Sequence, residues 1–316
     1  MTTTASDTST TRWHVLGAGA IGCLWAASLS ASGGQATLIG RSRGADYHGV
    51  ILETAAGEQR LEIALESADS DTRIERLLVC TKAYDVLTAL EGVALRLGAG
   101  TAVVLLQNGM GFHDQARTLI GSARLYCGLS TEGAWCPQPF HVRHAGRGTT
   151  LIGRYPGGTL DEVEPLAAEL RHTGLEIRAV ADIQQELWRK LAVNCAINAL
   201  TAVHGCHNGA LLEPGPINGE FVALCSEIAR VLAALGHHTL AAALPDRAAS
   251  VARDTAENRS SMLQDLKAGR RTEIDFINGF LCTQARAAGV AYPLNAALLT
   301  RIQAVSAQRS SDAQSS

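Results

Sequence analysis

The chain has 316 residues, of which 47% are hydrophobic and 18% charged, and its formal net charge is −3. That length suits two domains, each with its own core. The near-neutral balance excludes a polybasic nucleic-acid surface, and an aromatic content of 4% offers no stacking platform for bases.

Residues 1–12 are polar and lack an apolar stretch, so they read as a disordered lead and not as a signal peptide. From Trp13 to Gly40 there is no Asp, Glu, Lys or Arg. A membrane span needs about 20 predominantly apolar residues. This run is instead broken by Gly17, Gly19, Gly22, Gly33 and Gly34. It divides into a strand (13–16), a turn, a helix (21–31) and a second strand (36–39), with no membrane contact expected. Gly17-Ala18-Gly19-Ala20-Ile21-Gly22 fits G-x-G-x-x-G between that strand and that helix. The three glycines permit a tight turn, close approach of backbone to a pyrophosphate, and close helix–strand packing. The helix N-terminus offers unpaired N–H groups to the anion.

The second strand ends in Gly40-Arg41-Ser42-Arg43, where an NAD site usually carries Asp or Glu on the ribose. A carboxylate would repel a 2′-phosphate, whereas a guanidinium can hold one with two parallel hydrogen bonds. The cofactor favoured is therefore NADPH/NADP, with Arg41 on the phosphate. Arg43 reads as a solvated loop charge.

The alternation continues with strand 77–80, helix 83–97 and strand 102–106. The first strand ends in Thr81-Lys82 and the second in Gln107-Asn108-Gly109-Met110-Gly111. Lys82 and Asn108 thus stand at carboxyl ends of strands, where open α/β sheets bind ligands. Strands at 125–131, 149–155 and 176–180 extend the sheet, with a helix at 160–172.

Beyond Ala181 no strand pattern follows. Helices are expected at 183–200, 219–235, 254–268, 273–288 and 295–307, with Pro214, Pro216, Pro245 and Pro293 as breakers between them. The fold class is α/β plus all-α: an N-terminal Rossmann-type dinucleotide-binding domain (13–181), a helical C-terminal domain (182–308) and a disordered tail (309–316).

On helix 183–200, Lys190, Asn194 and Asn198 recur every four residues and share one stripe of an otherwise apolar helix. Lys190 alone could be a surface partner of Glu186. A polar stripe on an apolar helix must instead be satisfied by another domain, by water or by a ligand. The stripe is about 12 Å long, so a small substrate reaches Lys190 and Asn194 more readily than Asn198. Further on, Asn258, Ser260 and Ser261 are compact donors near a helix start, followed by Glu273 as a candidate capping carboxylate and by Asn278. The eight cysteines form no C-x-x-C pair, and most sit in apolar runs. They read as reduced thiols of a cytoplasmic protein. No Cys/His group has ligand spacing, so no metal is expected.

The blocks "ELWRKLAVNCAINALTA", "QNGMG" and "SSMLQDLKAGRRTEID" carry a resemblance. From about Trp13 to Asn295 the sequence resembles the ketopantoate reductase (2-dehydropantoate 2-reductase) family. The resemblance implies a small keto-acid substrate in a cleft between the two domains. By motif position it makes Lys190 the catalytic lysine and assigns Asn194, Asn198, Asn208 and Ser261 to the substrate, with Asn258 just upstream. It assigns Gly17 to Gly22, Arg41, Lys82, Asn108 and Glu273 to the cofactor, with a backbone contact at Ala134. Lys190 would then protonate the developing alkoxide, and Glu273 would position the nicotinamide ribose and tune Lys190. A reductase of another keto acid and a non-catalytic NADP(H)-binding regulator are the alternatives, and a homodimer is compatible with all three.

Overall fold

The structure is a computed structural model in which residues 11–40 and 47–314 are described. Arg41 and Arg43, and with them the expected 2′-phosphate contact, lie outside the described residues. In chain order the first elements are β1 (Trp13–Leu16), α1 (Ala20–Ala31), β2 (Ala36–Ile39), β3 (Val50–Thr54), β4 (Gly57–Leu61), β5 (Ala64–Glu66), β6 (Arg76–Val79), α2 (Val86–Val93), β7 (Ala102–Leu105) and α3 (His113–Leu119). They are followed by β8 (Arg124–Ser130), β9 (Gly133–Gln138), β10 (His141–Gly146), β11 (Thr149–Arg154), α4 (Leu160–Arg171) and β12 (Glu176–Ala179). Then come α5 (Ile183–His204), α6 (Pro216–Ala234), α7 (His238–Asp254), α8 (Ser261–Lys267), α9 (Asn278–Ala287) and α10 (Pro293–Gln314). The chain forms two compact units: residues up to Gln107 with Phe112–Gln184, and Asn108–Gly111 with Gln185 onward.

The first unit is built on an eight-stranded sheet in the order β12-β11-β8-β7-β6-β1-β2-β5. From β8 to β5 every neighbouring pair is parallel, while β11 runs antiparallel to β8. Val15 of β1 lies between Leu38 of β2 and Leu78 of β6, and all three are fully buried. Strands covered on both faces read as continuous apolar runs, which is why 13–16 and 77–80 were recognisable.

A second, four-stranded sheet in the order β4-β3-β10-β9 was not expected. Helix α1 packs against β1 and β2 on one side and against β3, β9 and β10 on the other. Cys23, Leu24, Trp25, Ala26 and Ala27 are consequently all fully buried. A helix that is apolar all round is a helix covered all round, and burying Leu24 alone contributes about 2 kcal/mol. Coverage by two sheets therefore explains the charge-free run from Trp13 to Gly40. Among the described residues, no helix is long and apolar enough to cross a membrane.

The second unit is helical. Two expected helices take a different form, and a further helix, α7, was not expected. Helix α7 runs through Pro245, which was read as a breaker. Its buried residues Leu240, Ala241, Leu244, Ala248 and Ala252 form one helical stripe, while Pro245 is exposed, so packing outweighs the one lost backbone hydrogen bond. The helix expected at 254–268 is only α8, which starts after Ser260 caps it by accepting from Leu263 N–H. The helix expected from 273 is a single 3-10 turn, Ile274–Phe276, followed by α9. The Glu273 carboxylate does not cap that turn.

Glu227 of α6 is fully buried and accepts from the N–H groups of Leu294 and Asn295 and from Asn295 Nδ2, at 2.8–2.9 Å. A carboxylate there satisfies the open N–H groups at the start of α10. Asn295 Oδ1 accepts in turn from Asn278 Nδ2, which also donates to Cys195 O of α5. This buried network fastens α5 to α9 and α10 one residue after Asn194.

Candidate active site

In the first unit the glycine fingerprint divides its work by position. Gly17, at φ +105°, follows β1, and a Cβ there would lie 2.8 Å from Thr81 N. A Cβ on Gly22 would lie 1.9 Å from Gly17 O, a distance no side chain tolerates. Gly19 is different: it is exposed, and a Cβ there would meet no described atom within 4 Å. It is the N-cap of α1, with no side-chain cap and no acidic residue in the first turn. Tight packing at Gly17 and Gly22 beside an open, uncapped helix start at Gly19 fits a dinucleotide pyrophosphate. Ala18, Ala20 and Ile21 are half-buried around it.

Lys82 is extended, half-buried and precedes the 3-10 turn Ala83–Asp85. A residue missing from the expected set secures this edge. Gln107 is buried, and its Nε2 donates to Val79 O at 2.8 Å and Thr81 O at 3.1 Å, tying the end of β7 to the end of β6. Gln107 Oε1 and Thr81 Oγ1 are buried without a partner among the described residues. The only sequence signal for Gln107 was its place at the head of "QNGMG". Ala134 lies on β9 opposite His144 of β10, and His144 Nε2 is 2.6 Å from Glu132 Oε2.

In the second unit, α5 presents Lys190 and Asn194 half-buried and Asn198 buried. Glu186 forms an ion pair with Arg189. The carboxylate that acts on Lys190 is Glu273, which is buried. Burial pushes the Lys190 ammonium from 10.5 down to about 8, and the charge of Glu273 opposes part of that fall. Asn198 contributes its carbonyl, which accepts from Thr201 Oγ1 at 3.1 Å and Ser260 Oγ at 3.3 Å. Ser260 is thus an anchor between α5 and α8. Ser261, the first residue of α8, is exposed.

Asn208 is buried at the start of the 3-10 turn Asn208–Leu212. Its Nδ2 donates to Thr255 Oγ1 at 2.9 Å and its N–H to Asn258 O at 2.9 Å, while its Oδ1 has no partner among the described residues. Asn258 itself is exposed. Asn108 belongs to this unit, in a loop whose Met110 N–H donates to Phe276 O at 2.8 Å. The structure therefore joins Lys190 with Glu273, Asn208 with Asn258, and Asn198 with the start of α8. Arg41 is not among the described residues. No group of three or more His, Cys, Asp or Glu among the described residues could hold a metal ion.

Comparison with known proteins bears on this arrangement. Residues 13–157 match the family described as ketopantoate reductase PanE/ApbA, and residues 182–306 match its C-terminal part. The chain is 36% identical over 290 residues to a 2-dehydropantoate 2-reductase of Escherichia coli O157:H7, covering 92% of this chain and 93% of that protein. A PanE/ApbA family ketopantoate reductase from Ralstonia eutropha JMP134 superimposes with a TM-score of 0.84 at 26% identity, over 95% of this chain and 99% of that one. A D-mandelate dehydrogenase solved with NADH and anilino(oxo)acetate gives a TM-score of 0.86 at 23% identity, again over 95% and 99%, and shares the fold. Matches across both units, at this identity and coverage, place the chain in the ketopantoate reductase family of oxidoreductases.

Proposed function

We propose that this protein reduces 2-dehydropantoate to pantoate with NADPH, a step of pantothenate and coenzyme A synthesis, and that Lys190 is the general acid. The observation that carries this reading is Lys190 itself: a half-buried ammonium held at about 8, with the buried carboxylate of Glu273 acting on it, in a chain of this family.

When bound, a reduced nicotinamide would supply a hydride to C2 of the keto acid. The protein must then neutralise the charge that gathers on the carbonyl oxygen. An ammonium near 8 is largely protonated at neutral pH and gives up its proton far more easily than one at 10.5. Glu273 keeps it cationic until the alkoxide forms. Ser261 and Asn258, both exposed at the start of α8, hold the substrate carboxylate. The amides of Asn194 and Asn208 both donate and accept, which suits the 4-hydroxyl. The unpartnered Oδ1 of Asn208 is an acceptor ready for that hydroxyl proton. Asn198 meets the far end of the substrate or orients its neighbours.

On the cofactor, Gly17 to Gly22 take the pyrophosphate, and Lys82, Asn108, Glu273 and the backbone of Ala134 make further contacts. Arg41 takes the 2′-phosphate and selects NADPH. The reading includes a cytoplasmic location and admits a homodimer. The test is a steady-state assay of nicotinamide absorbance with NADPH and a panel of 2-keto and 3-keto acids. Ketopantoate should give the highest kcat/KM. A higher value for another acid overturns the substrate, and NADPH binding without turnover of any acid overturns the reaction.

A further inference from the structure

Asn108–Gly111 clusters with the helical unit although the residues on either side of it, Gln107 and Phe112, do not. A backbone hydrogen bond holds it there, from Met110 N–H to Phe276 O at 2.8 Å. Gly109, at φ +85°, closes on the same residue: a Cβ would lie 2.5 Å from Phe276 O and 2.8 Å from both Phe276 C and Phe276 Cβ. Gly111, at φ +106°, presses against the next turn, where a Cβ would lie 3.0 Å from Phe280 Cδ2. The loop therefore uses two left-handed glycines to reach a contact that any side chain at Gly109 would block.

Phe276 is not an arbitrary attachment point. It ends the 3-10 turn that Glu273 opens, and its N–H donates to Glu273 O at 3.0 Å. Ile277, at φ −104° and ψ −91°, interrupts helical geometry before α9, and the Phe276 carbonyl sits at that interruption. Asn108 is two residues from one end of the Met110–Phe276 bond, and Glu273 is three residues from the other. Glu273 is also the carboxylate that acts on Lys190.

We propose that this backbone latch is a positioning device, with Gly109 as its positioning residue: it fixes the spacing between Asn108, which contacts the dinucleotide, and Glu273, which acts on the proton donor. The roles of Asn108, Glu273 and Lys190 rest on the reductase reading above; the latch joins them into one rigid piece. A loosened latch disturbs both ends at once, weakening the dinucleotide and changing the field at Lys190.

The test compares Gly109→Ala with Gly121→Ala. Gly121 has φ +60°, but a Cβ there meets no described atom within 4 Å, so that variant carries the backbone strain without the collision. NADPH affinity is read by nicotinamide fluorescence, with thermal melting and the pH profile of ketopantoate turnover alongside. Gly109→Ala should weaken NADPH about tenfold, the loss of roughly one hydrogen bond to the ligand. It should also move the basic limb of the profile downward, while Gly121→Ala changes melting alone. Gly111→Ala, which meets only the movable Phe280 ring, should act in the same direction more weakly, and it keeps the test decisive where Gly109→Ala does not fold. Folded variants that melt earlier yet keep wild-type NADPH affinity and pH limb overturn the latch. A wild-type protein without ketopantoate turnover defeats the reductase reading instead, and the NADPH affinities still decide the latch.

Discussion

The pH dependence of turnover tests the core of the proposed site, because Lys190 as general acid would have to be protonated to act. The activity parameter kcat/KM reports the free enzyme, so its basic limb should fall at about 8 and not near 10.5. Glu273 raises Lys190 against the effect of burial, so Glu273→Gln must lower it further. A nearby opposite charge is worth about one unit or more. With the group at about 8, roughly three-quarters of the lysine is charged at pH 7.5; with it at about 7, roughly one quarter is. Protonation alone therefore makes Glu273→Gln about threefold slower at pH 7.5, and the deficit closes near pH 6, where both forms are charged. A second, pH-independent loss from disturbed nicotinamide contacts can sit on top without moving the limb. The assay is kcat/KM for ketopantoate from about pH 6 to pH 10 in both proteins. A wild-type limb near 10.5 would show a solvated lysine. A limb that does not move in Glu273→Gln would remove Glu273 as the group that holds Lys190 charged.

Four further substitutions test the reading. Lys190 is held below its unfolded value, so the unfolded chain binds more protons between about pH 8 and 10.5, and stability rises with pH across that window. Lys190→Met removes a cost of up to about 3 kcal/mol at neutral pH, reduced by whatever water reaches the half-buried ammonium. Its stability advantage over the wild type in denaturant melts should therefore shrink by about 2 kcal/mol from pH 7 to pH 10, and a constant gap refutes the shift. Gly22→Ala drives a Cβ into Gly17 O and should cost about 3 kcal/mol or more, seen as a lower melting temperature. Gly19→Ala meets no described atom and should change stability by under about 0.5 kcal/mol while weakening NADPH binding; the reverse pattern would mean that Gly19 is there for packing. Arg41→Ala should raise KM for NADPH far more than for NADH, and equal effects would remove the 2′-phosphate assignment.

What could be read before the structure was whatever obeys short-range rules. The strand, glycine turn and helix from Trp13 to Ala31 were visible because glycine spacing and an uninterrupted apolar run are local signals. The small sheet was not. In β4 only Leu61 is buried, and in β10 only Val142. Strands this exposed carry no alternation to detect, and their reason for existing is α1, far along the chain. Pro245 misled for the opposite reason: its local rule is strong, but five buried residues on one face of α7 outvote it. The stripe of Lys190, Asn194 and Asn198 was visible as a pattern. Its partner Glu273 read from the residues alone as a helix cap, and only the family resemblance linked it to Lys190, because sequence distance hides what lies beside a side chain in space.

The same contrast explains how α5 can carry its stripe at all. Polar groups on a buried helix loosen it unless each is satisfied, and a lysine lowered to about 8 is a standing cost to the fold. The helix is fastened elsewhere along its length. Asn278 holds the Cys195 carbonyl, and behind it Asn295 and the fully buried Glu227 complete a network in which the carboxylate oxygens each accept from the start of α10. Ser260 and Thr201 do the same one turn further on. Glu227, Asn295, Thr201 and Ser260 are satisfied by protein, so they rigidify, whereas Asn278 Oδ1 has no partner among the described residues. Asn208 Oδ1 is likewise left without a partner among the described residues. An open acceptor alone does not mark a ligand group: Asn278 is tied into the Glu227 network through its Nδ2, whereas Asn208 is a proposed substrate group. Substitutions at Glu227, whose two oxygens are both satisfied by protein, should show first in stability, whereas substitutions at Asn208 should show first in KM.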